Sequence, residues 1–177
     1  MKAYETKPEG PASQLQMLLR YKAWADELTF HSVMSLPDEE ITRERQTTFK
    51  SMVHTLNHVY VVDDIFRAHL EGRPHGYTAR NTEVSPPIQA LWQASQEMDR
   101  WYVELADRLG EAELAETVHF EFVGGGPGAM TRQDILLHLV NHATYHRGFV
   151  SDMMYQVPAV PSANDLPVFL RDLWAKA

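Results

Sequence analysis

Residues 138–150 read HLVNHATYHRGFV and contain His138, His142 and His146, each four residues after the one before. A step of four residues turns an α-helical side chain by only about 40°, so the three imidazoles lie in one stripe. Apolar residues around them recur at three- and four-residue spacing, which is typical of a helix with one buried face. The pattern predicts a helix over 131–155 in which neighbouring imidazoles are placed to chelate one ion.

A second pair of histidines with the same spacing, His54 and His58, lies in another strongly apolar stretch of the chain. That stretch predicts a helix over 49–70 with only a narrow polar face, and such a helix is mostly buried. If the two helices face each other, one imidazole from this helix and two from the other form a three-nitrogen site. The spacing alone leaves open which of the five histidines take part.

A three-nitrogen site suits Zn²⁺ or Ni²⁺ and leaves at least one coordination position for water or substrate. Three neutral ligands also leave the double positive charge of the ion unneutralised, so a bound water or thiol loses its proton more readily. The HExxH pattern of metalloproteases is absent. For the remaining histidines a structural or solvated role is the simpler interpretation; these are His31, His69, His75 and His119.

Two further long helices and a short one complete the predicted fold. The first covers residues 13–36, with Ser13 and Gln16 as a capping pair, and the next covers 85–110, which begins at a Ser-Pro-Pro sequence suited to a first helical turn. A short helix over 164–174 ends the chain. Four long helices joined by long connections predict an all-α four-helix bundle with crossover loops.

The segments between the predicted helices are polar or rich in glycine and proline. Residues 38–48 and 71–83 are interpreted as loops, and residues 1–12 as a loose N-terminal arm. The sequence VHFEF at 118–122 alternates with period two, which indicates a short strand or extended segment. The GGGPG that follows at 124–128 lacks the Lys-Ser/Thr ending of a phosphate-binding loop and is interpreted as a flexible connection.

Composition and net charge argue against several classes of function. A length of 177 residues fits a single domain, 1–177, and the absence of cysteine excludes disulfide scaffolds, thiolate zinc sites and a cysteine nucleophile. Sixteen basic residues against 24 acidic ones give a net charge of -8, which argues against nucleic acid as a partner. No apolar run reaches the roughly 18–20 residues of a membrane span, and no secretion signal or serine-hydrolase GxSxG motif is present, so a cytoplasmic protein is expected.

Four segments of the chain resemble the DinB family. TLNHVYVVDDIF at 55–66 and HLVNHATYHRGFV at 138–150 resemble the paired signatures of that family. YKAWADELTF from Tyr21 resembles its first helix, and NDLPVFLRDLW from Asn164 resembles its C-terminal helix. The matches span nearly the whole chain in the expected order. The resemblance implies an up-down-down-up four-helix bundle, often dimeric, that holds one divalent metal ion, Zn or Ni, on three histidines.

Residue by residue, the resemblance implies His58 from TLNH, and His142 with His146 from NHATYHRG, as the metal ligands. His54 and His138 then fall outside the triad. The chain departs from the family pattern at Phe149, where a glutamine is common, so a substrate contact made by that glutamine does not carry over. The resemblance assigns no catalytic residue.

Characterised relatives in the wider superfamily include thiol-dependent S-transferases and a mycothiol-dependent isomerase, in which the metal activates a low-molecular-weight thiol. The resemblance therefore implies a metal-dependent enzyme that activates a small thiol or water toward an electrophilic small molecule, in a homodimer. A metal-dependent hydrolase and a non-catalytic metal-binding stress-response protein are the alternatives. A helical dimer with incidental histidines is a third. Metal analysis and substrate turnover distinguish these possibilities.

Overall fold

A computed structural model describes residues 11–174 of the chain, and over that range the protein is mostly helical. The helices are α1 (Pro11–Met34), α2 (Asp38–Thr42), α3 (Met52–Leu70), α4 (Ile88–Arg108), α5 (Glu111–Leu114), α6 (Arg132–Tyr155) and α7 (Leu166–Asp172). Two strands, β1 (Thr117–Glu121) and β2 (Pro127–Thr131), pair as an antiparallel hairpin before α6. No helix within this range is both long enough and apolar enough to cross a bilayer.

The four long helices form a closed bundle in which α1 packs on α4 and α6, and α3 packs on the same two helices. Their directions follow from two apolar clusters at opposite ends of the bundle. On α1 the first cluster takes residues 15–25 and the second takes 30–33, whereas on α3 the first takes 62–70 and the second 52–56. Along α6, as along α1, residues of the first cluster come before those of the second. Along α4, as along α3, they come after them, so α3 and α4 run opposite to α1 and α6. The predicted all-α, up-down-down-up bundle with a short C-terminal helix is therefore confirmed.

The ends of the long helices differ from the prediction in ways that the backbone explains. Helix α3 begins at Met52 rather than Phe49, because Lys50 has a φ of 60° and Ser51 caps the helix by accepting a hydrogen bond from the amide of His54 at 3.3 Å. The predicted cap at Thr131 is confirmed, since its hydroxyl oxygen accepts from the Asp134 amide at 3.0 Å.

At the N-terminus, α1 begins at Pro11 and not at Ser13, so the predicted cap at Ser13 is wrong. The predicted loose arm, 1–12, lies outside the described residues except for its last two, which belong to the helix.

The connections contain more regular structure than expected. Residues 38–48 include the short helix α2, and the strand predicted at 118–122 is β1. Its partner β2 was not predicted, because the sequence PGAMT lacks alternation. The GGGPG segment is not wholly a connection, since its last two residues begin β2.

Phe120 of β1 lies opposite Gly128 of β2. A Cβ added to Gly128 would lie 2.5 Å from the Phe120 ring. Glycine therefore allows this ring to pack across the backbone of the hairpin.

A buried ion cluster joins all four long helices where the two apolar clusters meet. The Lys22 ammonium of α1 lies 2.9 Å from Asp26, 2.9 Å from Asp63 of α3 and 2.6 Å from Asp99 of α4. Arg147 of α6 binds the other oxygen of Asp26 at 2.9 Å. Since Lys22 is only 1% exposed, its charge depends on these carboxylates.

The charged groups of the cluster shift one another's pKa values. Burial disfavours the charged form of Lys22, but the three carboxylates outweigh burial and hold its pKa well above the ordinary value. Burial raises the pKa values of Asp63 and Asp99 even beside the ammonium, whereas Lys22 and Arg147 together overcome burial and lower the pKa of Asp26. With all five groups charged the site has one excess negative charge, and this excess disappears when Asp63 or Asp99 takes up a proton.

We predict that Lys22→Met destabilises the protein by about 3–5 kcal/mol, because it leaves three buried carboxylates without their common partner. The destabilisation should be smaller at about pH 5 than at about pH 8, because protonated carboxyls no longer repel one another. Urea unfolding at both pH values measures the difference. Arg43→Met is the matched control, since Arg43 pairs with Glu40 in an exposed ion pair. A Lys22→Met effect no larger than the control effect would contradict the prediction.

Candidate metal centre

Helices α3 and α6 bring three of the predicted histidines to one point. His58 of α3 and His142 with His146 of α6 place one ring nitrogen each so that all three atoms lie within 4.8 Å of one another. The Nε2 atoms of His58 and His142 are 3.1 Å apart. Within residues 11–174, this is the set of three or more metal-ligand side chains that converges in this way.

Local packing fixes the orientation of the helices at this point. The step of four residues puts His142 and His146 on one face of α6, with ring centroids 4.3 Å apart, and His58 lies 4.6 Å from His146. The next residue, Arg147, points into the ion cluster and also donates to the hydroxyl of Tyr21 at 3.2 Å. The rotation of α6 about its axis is thereby set one residue away from a candidate ligand.

Hydrogen bonding determines the tautomer of His58. Its Nδ1 lies 2.8 Å from the backbone carbonyl oxygen of Arg80, which only accepts, so Nδ1 carries the hydrogen and donates it. The lone pair of His58 is then on Nε2, the atom that faces His142. A second hydrogen bond of this type commonly orients histidines that bind metals.

The three side chains fit a divalent ion by two observations. The Nδ1 atom of His146 is buried without a hydrogen-bond partner among the described residues, and such an atom costs free energy unless something binds it. Two nitrogens that each lie about 2.0–2.1 Å from a tetrahedral zinc ion are about 3.3 Å apart, close to the 3.1 Å between His58 and His142. These residues could therefore hold a metal.

The electrostatics keep the imidazoles neutral. Burial, followed by the neighbouring rings of His146 and His58, lowers the pKa of His142 to about 2. Burial and the His58 ring lower the pKa of His146 to about 4. Burial also lowers the pKa of His58, although its hydrogen bond to the Arg80 carbonyl opposes that shift. Neutral imidazole is the form that binds metal ions, so protons do not compete for the site near neutrality.

One side of the triad is closed by aromatic rings. The Phe49 ring lies 5.2 Å from His58 and 4.5 Å from His146, measured between ring centroids. Phe149, at the position where the sequence departs from the family pattern, packs against Phe49 at 5.2 Å. An apolar phenylalanine therefore lies where the family pattern has a polar glutamine.

The other side of the triad opens on a cavity of about 490 Å³. His58 and His142 contribute to its wall, and the hairpin supplies Phe120 of β1 and Phe122, which directly follows that strand. Arg80 also lines it. The sequence interpretation assigned no role to these three; the alternation in VHFEF could have placed the two phenylalanines together, but nothing marks Arg80 within its loop.

His54 and His138 lie outside the converging set. His54 is one turn before His58, but its Nδ1 is 3.4 Å from the Ser85 hydroxyl, and it lines a separate cavity of about 640 Å³ that does not include the triad. His138 is in the wall of the cavity beside the triad, 5.4 Å from His142 and 5.1 Å from Phe66 between ring centroids.

The adjacent aspartates of α3, Asp63 and Asp64, both have structural partners. Asp63 belongs to the ion cluster, and Asp64 accepts a hydrogen bond from the Tyr77 hydroxyl at 2.9 Å. His69 also has a place in the cavity wall, where its ring stacks on Phe120 at 4.7 Å. The structural role expected for His69 agrees with this stacking contact, and its position in the cavity wall is an additional finding.

Comparison with known proteins identifies the family of the chain. The sequence model of the DinB family matches residues 11–173. The chain is 26% identical over 159 residues to Protein DinB of Bacillus subtilis (strain 168), a match that covers 86% of this chain and 91% of that protein. A crystal structure of a DinB-like protein from Bacillus cereus ATCC 10987 is similar in fold, with a TM-score of 0.57 at 20% identity over 82% of this chain and 94% of that one. The family match covers nearly all of the described residues, and the chain belongs to the DinB family.

Proposed function

We propose that the protein binds one divalent metal ion, Zn²⁺ or Ni²⁺, through His58, His142 and His146 and catalyses a metal-dependent reaction of a small molecule. The observation that carries the proposal is the convergence of three neutral imidazoles, two of which, His58 and His142, line a cavity of about 490 Å³. A structural metal site is normally closed by protein ligands, whereas a catalytic site keeps a position open for substrate. The adjoining cavity favours catalysis over a purely structural ion.

A divalent ion on three neutral ligands supplies Lewis acidity, which lowers the pKa of a thiol or water. The chain supplies the surroundings in which that acidity acts. The Arg80 carbonyl holds the His58 ring in the tautomer that presents Nε2, and Phe49 covers the side of the triad away from the cavity. Substrates therefore approach from the cavity.

The nucleophile has to come from solution. The chain has no cysteine and no GxSxG motif, so neither kind of side-chain nucleophile is available. We propose a low-molecular-weight thiol as the nucleophile and an electrophilic small molecule as its acceptor, because the apolar cavity walls suit an organic acceptor. Hydrolysis by water is the alternative outcome. A cytoplasmic homodimer without a nucleic-acid partner remains part of the proposal.

We predict that protein purified without a histidine tag contains about one equivalent of divalent metal per chain. Alanine at any one of the three positions, His58, His142 or His146, should abolish binding, because two imidazoles hold the ion much more weakly than three. Elemental analysis after gel filtration measures the stoichiometry. His54→Ala and His138→Ala are matched controls that should keep the ion. Retention of full stoichiometry in all three ligand variants would overturn the assignment.

We predict that removing the metal weakens the fold without unfolding it, because the apolar clusters and the ion cluster remain. At a free ion concentration about 100 times Kd, linkage contributes about 2.7 kcal/mol. For a chain of this size this corresponds to a fall in melting temperature of about 5–10 °C on chelation. Circular dichroism should show an unchanged helix signal at room temperature. Loss of that signal on adding a chelator would contradict the prediction.

We predict that the metal-loaded protein accelerates transfer of a small thiol to epoxide, quinone or halide-bearing acceptors, and that His146→Ala abolishes the acceleration. Activity should depend on pH through deprotonation of the nucleophile. A parallel panel of esters and amides without thiol tests hydrolysis. Equal rates for metal-loaded and metal-free protein on both panels would favour the non-catalytic metal-binding protein.

A further inference from the structure

The cavity beside the triad has a charge opposite to that of the whole chain. Among residues 11–174, its walls consist of one arginine, four histidines and seven apolar residues, and they include no carboxylate. The whole chain, in contrast, has 24 acidic residues against 16 basic ones. A cleft lined by one sign of charge between apolar walls concentrates ligands of the opposite sign. The lining therefore selects for anions.

Arg80 is the residue of this cavity that carries a permanent positive charge. Its backbone carbonyl is held by the Nδ1–H of His58 at 2.8 Å, which places the residue next to the triad. Its side chain is exposed, and its guanidinium pairs with no carboxylate of residues 11–174. Arg67, Arg73 and Arg132, by comparison, each pair with a glutamate. A guanidinium binds a carboxylate through two parallel hydrogen bonds, and here no protein carboxylate competes for it.

The hairpin gives the cavity an aromatic wall. The Phe120 ring packs edge-on against Phe66 at 5.6 Å and against Phe122 at 5.0 Å, and it stacks on His69. Phe122 remains 52% exposed, which leaves apolar surface open beside the cavity. Aromatic rings pack favourably on such surfaces in edge-on or offset arrangements.

We propose that this cavity binds a carboxylate-bearing small molecule with an aromatic body as the acceptor substrate. The carboxylate pairs with the Arg80 guanidinium, and the aromatic body packs on Phe120 and Phe122. His58 and His142 line the same cavity as Arg80 and the two phenylalanines. The identification as a substrate rests on the function proposed above, whereas the binding preference rests on the cavity alone. A volume of about 490 Å³ is within the usual range for small-ligand sites.

The test compares phenylbutyrate with its neutral amide, phenylbutyramide, by isothermal titration calorimetry on the full chain. Titrations are run on zinc-loaded protein and on protein treated with chelator, so that direct binding of the carboxylate to zinc is separated from binding to Arg80. In both forms the wild type should bind the acid at least about tenfold more tightly than the amide, and Arg80→Gln should reduce this ratio to about twofold or less. Zinc content should stay unchanged in the variant.

Two further variants separate charge from apolar contact. Arg100→Gln removes an exposed arginine of α4 that does not line the cavity and should leave the acid-to-amide ratio unchanged. Phe122→Ser should weaken acid and amide by a similar factor and keep their ratio, because it removes only apolar surface. Equal affinity of the wild type for acid and amide, no binding of either, or a preference that survives in Arg80→Gln would overturn the proposal.

The outcomes distinguish this inference from the proposed function. A protein that binds no metal but prefers the acid through Arg80 contradicts the metal-dependent function and supports the cavity assignment. A protein that binds one metal ion but shows no preference for the acid contradicts the cavity assignment alone. Metal analysis on the same samples decides between the two.

Discussion

A lysine ammonium buried among three carboxylates sets the alignment of the four long helices. An isolated buried ammonium is very unfavourable, so the bundle is stable only when α1, α3 and α4 present Asp26, Asp63 and Asp99 at the level of Lys22. Arg147 ties α6 to the same level. A helix that slid by one turn would leave a buried charge without its partner. The cluster therefore fixes the relative positions of the four helices, which apolar packing alone would define less well.

The candidate metal centre depends on that alignment. His146 directly precedes Arg147, and His58 lies about one and a half turns before Asp63, so both helices are fixed close to the histidines. The imidazoles are thus held together before any ligand binds, and a preorganised set of ligands avoids the entropy cost of assembly. The bundle supplies the rigid part of the site. The hairpin and the loop containing Arg80 complete a cavity whose other walls come from α3 and α6.

Periodicity in the sequence was enough to predict the four long helices and the stripe of histidines on α6, because both depend on local spacing. It could not select His58, His142 and His146 from five candidates, since that choice depends on which faces of two distant segments meet; the family resemblance made it. The ion cluster was missed because Lys22 and Asp26 are spaced like an exposed pair on a helix surface. Arg80 was missed because a loop carries no periodic signal, and β2 because Pro127 and Gly128 obscure its alternation.

We propose that His58, His142 and His146 together form one metal site. Anomalous diffraction at the zinc absorption edge, from crystals of the zinc-loaded full chain, tests it most directly because it locates the ion without reference to activity. We expect one strong peak per chain, with a ring nitrogen of each of the three histidines at roughly 2.0–2.1 Å. A peak bound instead by His54 or His138, or no peak between α3 and α6, would contradict it.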